Sequence, residues 1–425
     1  MAWLVVTMTA LLGVRSVLAA VTRCSSPTDS PILSKTEELR QKLLKNYDKN
    51  ALPQRDTNGT TTAYFGIIPM GMWIEEDKQV FNLNAWLRMT WKDPRLAWDY
   101  KDFAGIKSVH FDDSELWHPE AHLYNNADIT DVNHYGSVKS LVYSDGMVLW
   151  VPPGLFRSEC PLDATHWPYD TQTCELYIGA WAYHGWHVDL QLFHNASKVL
   201  PGWFMKFSHS WQYVKGSIER IQTTYSCCPE PYVMIRVEIT MSRVSPIFTS
   251  TVVIPACVIS VLTLVQFLLP LREPRRLTLG CVSLLLTLIV LLYLAISLPH
   301  LAFSLPIIVK FYGQTLAVIV VSVGVNAGLL RLTDGRQPSV TSTPPPALLK
   351  NILTGPLASV LCLQRYAEKV GLSGGGAEDG EVLEETRPAS YLHEWLLVAA
   401  ALDRLAAITF VAAFVITLIA YVAPV

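Results

Sequence analysis

Apolar and polar positions change period three times along this chain. From Ser34 to Lys45 the run SKTEELRQKLLK sets its apolar residues at helical spacing, and Ser34 followed three residues later by Glu37 is a capping-box start. One amphipathic helix is expected there. From about Tyr64 to Met241 the helical period gives way to short runs separated by turn residues. Gln79–Trp86, Ser140–Val151, Glu175–Trp181 and Tyr232–Met241 read as strands, with DG at 145–146 and PPG at 152–154 as turn signals. A long all-β stretch of this kind suits a β-sandwich. Beyond it the chain turns continuously apolar. No Asp, Glu, Lys or Arg occurs from Val244 to Leu271, from Leu277 to Val309, from Phe311 to Leu330 or from Leu405 to Val425, and each run reaches the ~20 residues of a bilayer crossing. Pro299 and Pro306 separate the second run from the third.

The fold class that follows is an extracellular β-sandwich with an N-terminal helix, then a four-helix transmembrane bundle. Residues 1–20 form a short apolar run ending in small residues, interrupted by Arg15, and read as a secretory signal peptide. The sandwich then occupies 21–243, transmembrane helices one to three 244–330, a cytoplasmic loop 331–390 and the fourth helix 391–425. Arg272, Arg275 and Arg276 in the turn LREPRR place that side of the membrane in the cytoplasm. The loop carries PPP at 344–346, GGG at 374–376 and an acidic patch at Glu381, Glu384 and Glu385, with a short helix expected over Ala347–Lys369.

Composition agrees: 51% of the residues are hydrophobic and only 16% charged, as in a membrane protein. A net charge of -3 with no basic tract excludes a nucleic-acid partner. Five cysteines (Cys24, Cys160, Cys174, Cys227, Cys228) precede the first long apolar run, enough for two pairs with one left over; Cys257, Cys281 and Cys362 lie within or after it. No CxxC or other zinc spacing occurs, so neither a metal nor a cofactor is expected. No nucleophile elbow is present, and the one HxxH, His184 to His187, falls in a predicted turn, so an enzyme is not expected. A transporter would need internal repeats or ionisable residues in mid-span, and the four runs show neither. Asn58-Gly-Thr60 and Asn195-Ala-Ser197 are glycosylation sequons at Asn58 and Asn195.

Two motifs sharpen this. Cys160 to Cys174 reads CPLDATHWPYDTQTC, with an aromatic-Pro-aromatic-Asp at its centre. It resembles the signature loop of the Cys-loop receptors, the pentameric ligand-gated ion channels. TYSCCPEPY from Thr224 to Tyr232 is similar to the vicinal-cysteine segment of the alpha-type nicotinic acetylcholine receptors. The resemblance implies disulfides Cys160–Cys174 and Cys227–Cys228, and the Trp167–Pro168 bond is a candidate for the cis form. It also implies a cage of aromatic faces for acetylcholine or a similar quaternary ammonium. WHPEAHLYNNAD would supply Tyr124, GAWAYHGW Trp181, and the vicinal-cysteine loop Tyr225 and Tyr232. On a complementary face NAWLRMTW would supply Trp86, and LVYSDGMVLWV would supply Leu141, Leu149 and Val151. Other subunits of a homo- or heteropentamer, the plasma membrane on the postsynaptic side, and permeant inorganic ions complete the expected partners.

For gating, the resemblance points to Glu76, Asp170 and Arg243 as ionic contacts at the domain interface. It departs from the family at Tyr177 and Met234, where a Lys and an Asp are usual. Aligning TLG at 278–280 puts Thr278, Val282, Leu285, Ile289 and Leu292 on the pore-lining face, with Leu285 as an apolar gate. Helical spacing of small and polar residues alone would instead select Gly280, Ser283 and Thr287 as the face toward water, and of the two the family register is preferred. The mouth sequence PRRLTLG, with Arg275 and Arg276, resembles that of glycine and GABA receptors, and that resemblance implies anion selection. The same arginines also suit a plain cytoplasmic anchor. An accessory subunit that assembles without binding agonist or gating alone is the rival reading.

Overall fold

The computed structural model describes residues 34–54, 59–128, 135–203, 205, 210–298, 304–334, 343–354, 361, 363–364 and 391–422. The signal at 1–20, Cys24, Asn58, Cys362 and the acidic patch lie outside these. Helix α1 spans Lys35–Leu44 and closes the expected capping box: the Ser34 hydroxyl accepts the Glu37 N–H at 3.3 Å, and the Glu37 carboxylate accepts the Ser34 N–H at 2.7 Å. Its Leu39 and Leu43 turn inward onto the sandwich.

Eleven strands follow among the described residues: β1 Thr61–Glu75, β2 Val80–Lys92, β3 Ser108–Phe111, β4 His122–Leu123, β5 Ser140–Tyr143, β6 Met147–Trp150, β7 Pro153–Glu159, β8 Thr171–Gly179, β9 Val188–Leu192, β10 Trp211–Tyr225 and β11 Cys228–Arg243. One sheet runs β3-β5-β6-β2-β1-β9, with β7 also pairing β2; the other runs β10-β11-β8-β4. Alternate residues of each face inward. Phe65, Leu83, Leu87 and Trp91 from the first sheet meet Leu176, Ile178, Ile235 and Val237 from the second in one core. The stretch Ser140–Val151 is a hairpin, not one strand, and it turns at Asp145-Gly146. Gly146 has φ +83°, and a Cβ there would stand 2.6 Å from the carbonyl oxygen of Asp93. Only glycine fits that turn.

Among the described residues four helices are long and apolar enough to cross a membrane: α2 Pro246–Leu268, α3 Arg275–Ser297, α4 Ile307–Thr333 and α6 Leu392–Val422; α5, Ala347–Thr354, is short. Pro255 in α2 lacks the N–H of a regular turn, and a π-helical turn over Thr249–Val253 precedes it, with Ile254 N–H bonded back to the Thr249 carbonyl. The fourth helix starts well before the charge-free run that announced it and takes in Glu394, Asp403 and Arg404. A second core joins the two domains: Ala164 and Trp167 of the disulfide loop pack with Val252, Ala256, Leu294 and Tyr312 of the spans.

Gly146→Ala is expected to destabilise the protein by on the order of 1–3 kcal/mol, from the left-handed backbone and the clash with Asp93. Thermal unfolding of the detergent-solubilised chain would register it as a lowered Tm, and an unchanged Tm would contradict this account of the turn.

Candidate functional site

The second sheet ends in a group of aromatic rings. Tyr124 directly follows β4, Trp181 sits just past β8, and Tyr225 and Tyr232 flank the β10–β11 turn, where Cys227 and Cys228 are disulfide-bonded. Tyr124 donates its phenolic hydrogen to the Ala180 carbonyl at 2.6 Å, and its ring meets Trp181 edge-on, centroids 5.8 Å apart at 73°. Tyr225 and Tyr232 meet in the same way at 5.5 Å and 66°. Burial pushes the Tyr124 phenol up to about 12, helped by Tyr225, Glu120 and Tyr232, so it remains a neutral donor at physiological pH. Gly179 makes room for the Tyr124 ring, because a Cβ there would stand 2.6 Å from its oxygen. Trp181 keeps 73% of its surface exposed and presents an open face.

Glu120, not singled out in the sequence, fixes the loop that carries Trp181. Its carboxylate accepts the N–H of Trp181 at 2.9 Å and of Ala182 at 2.7 Å. The sequence signal was only WHPE, one acid among many, with its partners 61 and 62 residues away.

The other expected binding residues lie on the first sheet. Trp86 of β2 pairs with Ile68 and Pro153, while Leu141 and Leu149 face each other across β5 and β6, with Val151 just beyond. Within one chain the two sets occupy different sheets.

At the membrane end of the sandwich, Arg243 joins three loops. It gives Nε to Asp170 at 2.6 Å and Nη2 to the same carboxylate at 3.1 Å; it gives Nη1 and Nη2 to Glu76 at 2.6 and 3.0 Å. Arg243 and Asp170 are buried, Glu76 partly so, and the guanidinium also lies 4.4 Å over the Trp211 ring. The Cys160–Cys174 disulfide is formed and the Trp167–Pro168 bond is cis. Trp167 packs on Phe248 of α2 at 4.9 Å, and Tyr169 shares a hydrogen bond with Thr249 at 2.7 Å. Asp163 is a further contact that the sequence reading missed. It accepts the amide and hydroxyl of Thr165 at 2.9 and 2.6 Å and the hydroxyl of Ser304 at the head of α4, while Ile307 N–H bonds Thr165 O at 3.0 Å. The Asp-x-Thr spacing of an Asx-turn was its only sequence signal.

Tyr177 and Met234 sit in a different network. Met234 pairs opposite Gly179 and Arg236 opposite Tyr177. Glu175 accepts both the Tyr177 hydroxyl and the Arg236 guanidinium, and Arg236 also reaches Glu219 at 2.8 Å and Glu238 at 3.1 Å.

On α3, Gly280, Ser283 and Thr287 are buried inside the helix bundle, which corrects the expectation that they face water. A Cβ on Gly280 would lie 2.7 Å from a methyl of Val323, and Thr287 turns its hydroxyl back to the Ser283 carbonyl at 2.7 Å. Between membrane helices, small residues mark close approach and need not mark a wet face. Thr278, Val282, Leu285, Ile289 and Leu292 lie on the exposed side, Leu285 at 60%. Arg276 also points inward, to an ion pair with Asp403 of α6, whereas Arg275 is exposed and lies 3.5 Å from Glu273. The two arginines of the mouth therefore do not form one charged face.

Hydrogen bonds from Ser304 and from the hydroxyl and amide of Thr165 hold the Asp163 carboxyl down at about 2, from an ordinary 3.8. A depressed carboxyl stabilises above its unfolded value and loses that contribution as pH falls through the folded one. The Tm gap between wild type and Asp163→Asn, present near neutral pH, is thus expected to narrow below about pH 4 and close near pH 2. A gap independent of pH would show that the charge plays no part.

Residues 36–245 match the neurotransmitter-gated ion-channel ligand binding domain, and residues 252–378 match the neurotransmitter-gated ion-channel transmembrane region. The chain is 31% identical over 341 residues to the neuronal acetylcholine receptor subunit alpha-6 of Mus musculus, covering 80% of this chain and 67% of that subunit. It is 31% identical to the alpha-6 subunit of Gallus gallus over 83% of this chain and 69% of that one, and 29% identical to the alpha-3 subunit of Carassius auratus over 82% and 68%. The chain belongs to the neurotransmitter-gated ion-channel family, as a divergent member similar to the alpha-type neuronal acetylcholine receptor subunits.

Proposed function

We propose that this subunit, a plasma-membrane receptor component and not an enzyme, forms an acetylcholine-gated pentameric channel whose agonist sits between two copies or between it and a related chain. The observation that carries the reading is the gathering of Tyr124, Trp181, Tyr225 and Tyr232 beside a vicinal disulfide, with Trp181 open. A quaternary ammonium has no hydrogen to donate, so electron-rich ring faces are its natural partners, each worth ~0.5–2 kcal/mol. Trp86, Leu141, Leu149 and Val151, on the other sheet, would close the cage from the neighbouring subunit. Because both sets occur in one chain, a homopentamer has every part it needs.

Binding would pull on the β10–β11 hairpin, and β11 ends in Arg243. The buried Arg243–Asp170–Glu76 cluster can carry that motion to the disulfide loop and so to α2 and α4. The pore would be lined by Thr278, Val282, Leu285, Ile289 and Leu292 of α3, with Leu285 as the dewetting gate. For ion selection, Arg276 is engaged inside the bundle and Arg275 stands beside Glu273, which removes much of the positive ring suggested by PRR. The similarity to acetylcholine receptor subunits carries the expectation of a cation pore and points the same way. Asn195, exposed in a left-handed turn, is the glycosylation candidate among the described residues. The domain divisions drawn from sequence are kept as part of this reading. An accessory role is favoured by one observation, the Glu175–Tyr177–Arg236 network where a coupling Lys is usual.

Trp181→Ala should weaken acetylcholine binding by about 2- to 30-fold, the equivalent of ~0.5–2 kcal/mol, in displacement of a labelled antagonist from intact cells. Unchanged affinity would sink the cage. Under voltage clamp in oocytes expressing the chain alone, the reversal potential is expected to follow external sodium; one that follows chloride would restore the arginine mouth as the selector. Surface protein without current would favour the accessory role.

A further inference from the structure

The ion pair between Arg276 and Asp403 links the start of α3 to the middle of α6, 127 residues away in sequence. Side-chain exposures are 1% and 7%, so the pair is sealed inside the bundle. The Arg276 guanidinium lies 5.4 Å from the Phe267 ring at the end of α2, and Phe267 in turn meets Phe410 of α6 at 5.4 Å. Leu397 to Ala401 of α6 bury against Leu271 and Leu329 at the same end. Three spans thus converge on one charged contact. A buried charge of this kind is costly unless paired, and removing one partner leaves the other uncompensated.

The contact also sets direction. Arg275 and Arg276 are neighbours on a helix and point about 100° apart. With Arg276 held inward, Arg275 faces out, at 84% exposure. The same inward face continues through Gly280, Ser283 and Thr287, and it leaves Thr278, Val282, Leu285 and Ile289 on the outward one. Freed from Asp403, the long Arg276 stem can carry its charge toward the aqueous mouth.

We propose that Asp403 is a positioning residue for the pore helix: by holding Arg276 inside the bundle it fixes the rotation of α3 and keeps a second positive charge per subunit off the ion path. This rests on the reading of α3 as the pore-lining helix. The fourth helix then takes part in gating and in ion selection.

The test uses the full chain in oocytes with Asp403→Asn, Arg276→Gln and the double variant. Each single change is expected to move the half-activating acetylcholine concentration by about fivefold or more, and the double to return it to within about twofold of wild type. Asp403→Asn alone should also shift the reversal potential toward that of chloride, which a merely structural role would not do. Additive effects on half-activation, or an unshifted reversal potential in Asp403→Asn, would overturn the proposal. If the single variants fail to reach the surface by biotinylation, the double decides: recovery at the surface supports the pairing, and no recovery overturns it. A Leu285→Cys control, measured against the native cysteines for block by a thiol reagent during agonist application, tests the pore assignment separately. Without block, the pore reading fails while the half-activation cycle still judges the pair.

Discussion

The buried guanidinium of Arg243 holds the two halves of this molecule in register. It stands where β11 runs into α2, and the two carboxylates that satisfy it come from 73 and 167 residues away. An arginine in so dry a place is tolerated only when its forked donors are met, and here four side-chain contacts meet them. The geometry follows: the disulfide loop that carries Asp170 and the β1–β2 turn that carries Glu76 are drawn against the head of the first span. Trp167 then reaches Phe248, and Asp163 reaches Ser304. An apolar patch alone would let the sandwich slide over the helices, whereas the directional bonds on Arg243 define one arrangement.

That arrangement puts the aromatic rings and the domain interface at the two ends of one strand. β11 starts at Cys228, next to Tyr232, and ends at Arg243, so one strand runs from the ring cluster to the domain interface. From Met234 to Ser242 it pairs with β8, which leads from the disulfide loop to Trp181. A hydrogen-bonded ladder therefore lies between the rings and the domain interface, where a chain of loose side-chain contacts would be less stiff.

Much of this was legible in the sequence. Period change alone separated α1, the sandwich and the spans, because backbone hydrogen bonding ties side-chain period to element type. The capping box at Ser34 and Glu37 and the turn at Gly146 were readable for the same local reason. Glu76, Asp170 and Arg243 were reached only through family resemblance, since nothing local tells one carboxylate from another. Glu120 and Asp163 escaped altogether. Each acts through backbone amides or a hydroxyl brought near by folding, a contact with no period and almost no motif.

The membrane domain shows where a physical rule was carried into the wrong solvent. In water a stripe of small and polar residues on a helix faces outward, and that logic assigned Gly280, Ser283 and Thr287 to the pore. In lipid the tails outside are as apolar as leucine, so sequestering leucines brings little, and the small side chains go where helices approach most closely. Arg276 followed the same inversion. A charge near a helix end reads as exposed until a partner such as Asp403 appears, and that partner lay just outside the charge-free run used to place the last span. Charged residues at the edges of such runs are thus informative in their own right: a buried acid on one span and a buried base on another are candidates for each other, because the bilayer leaves them few other partners.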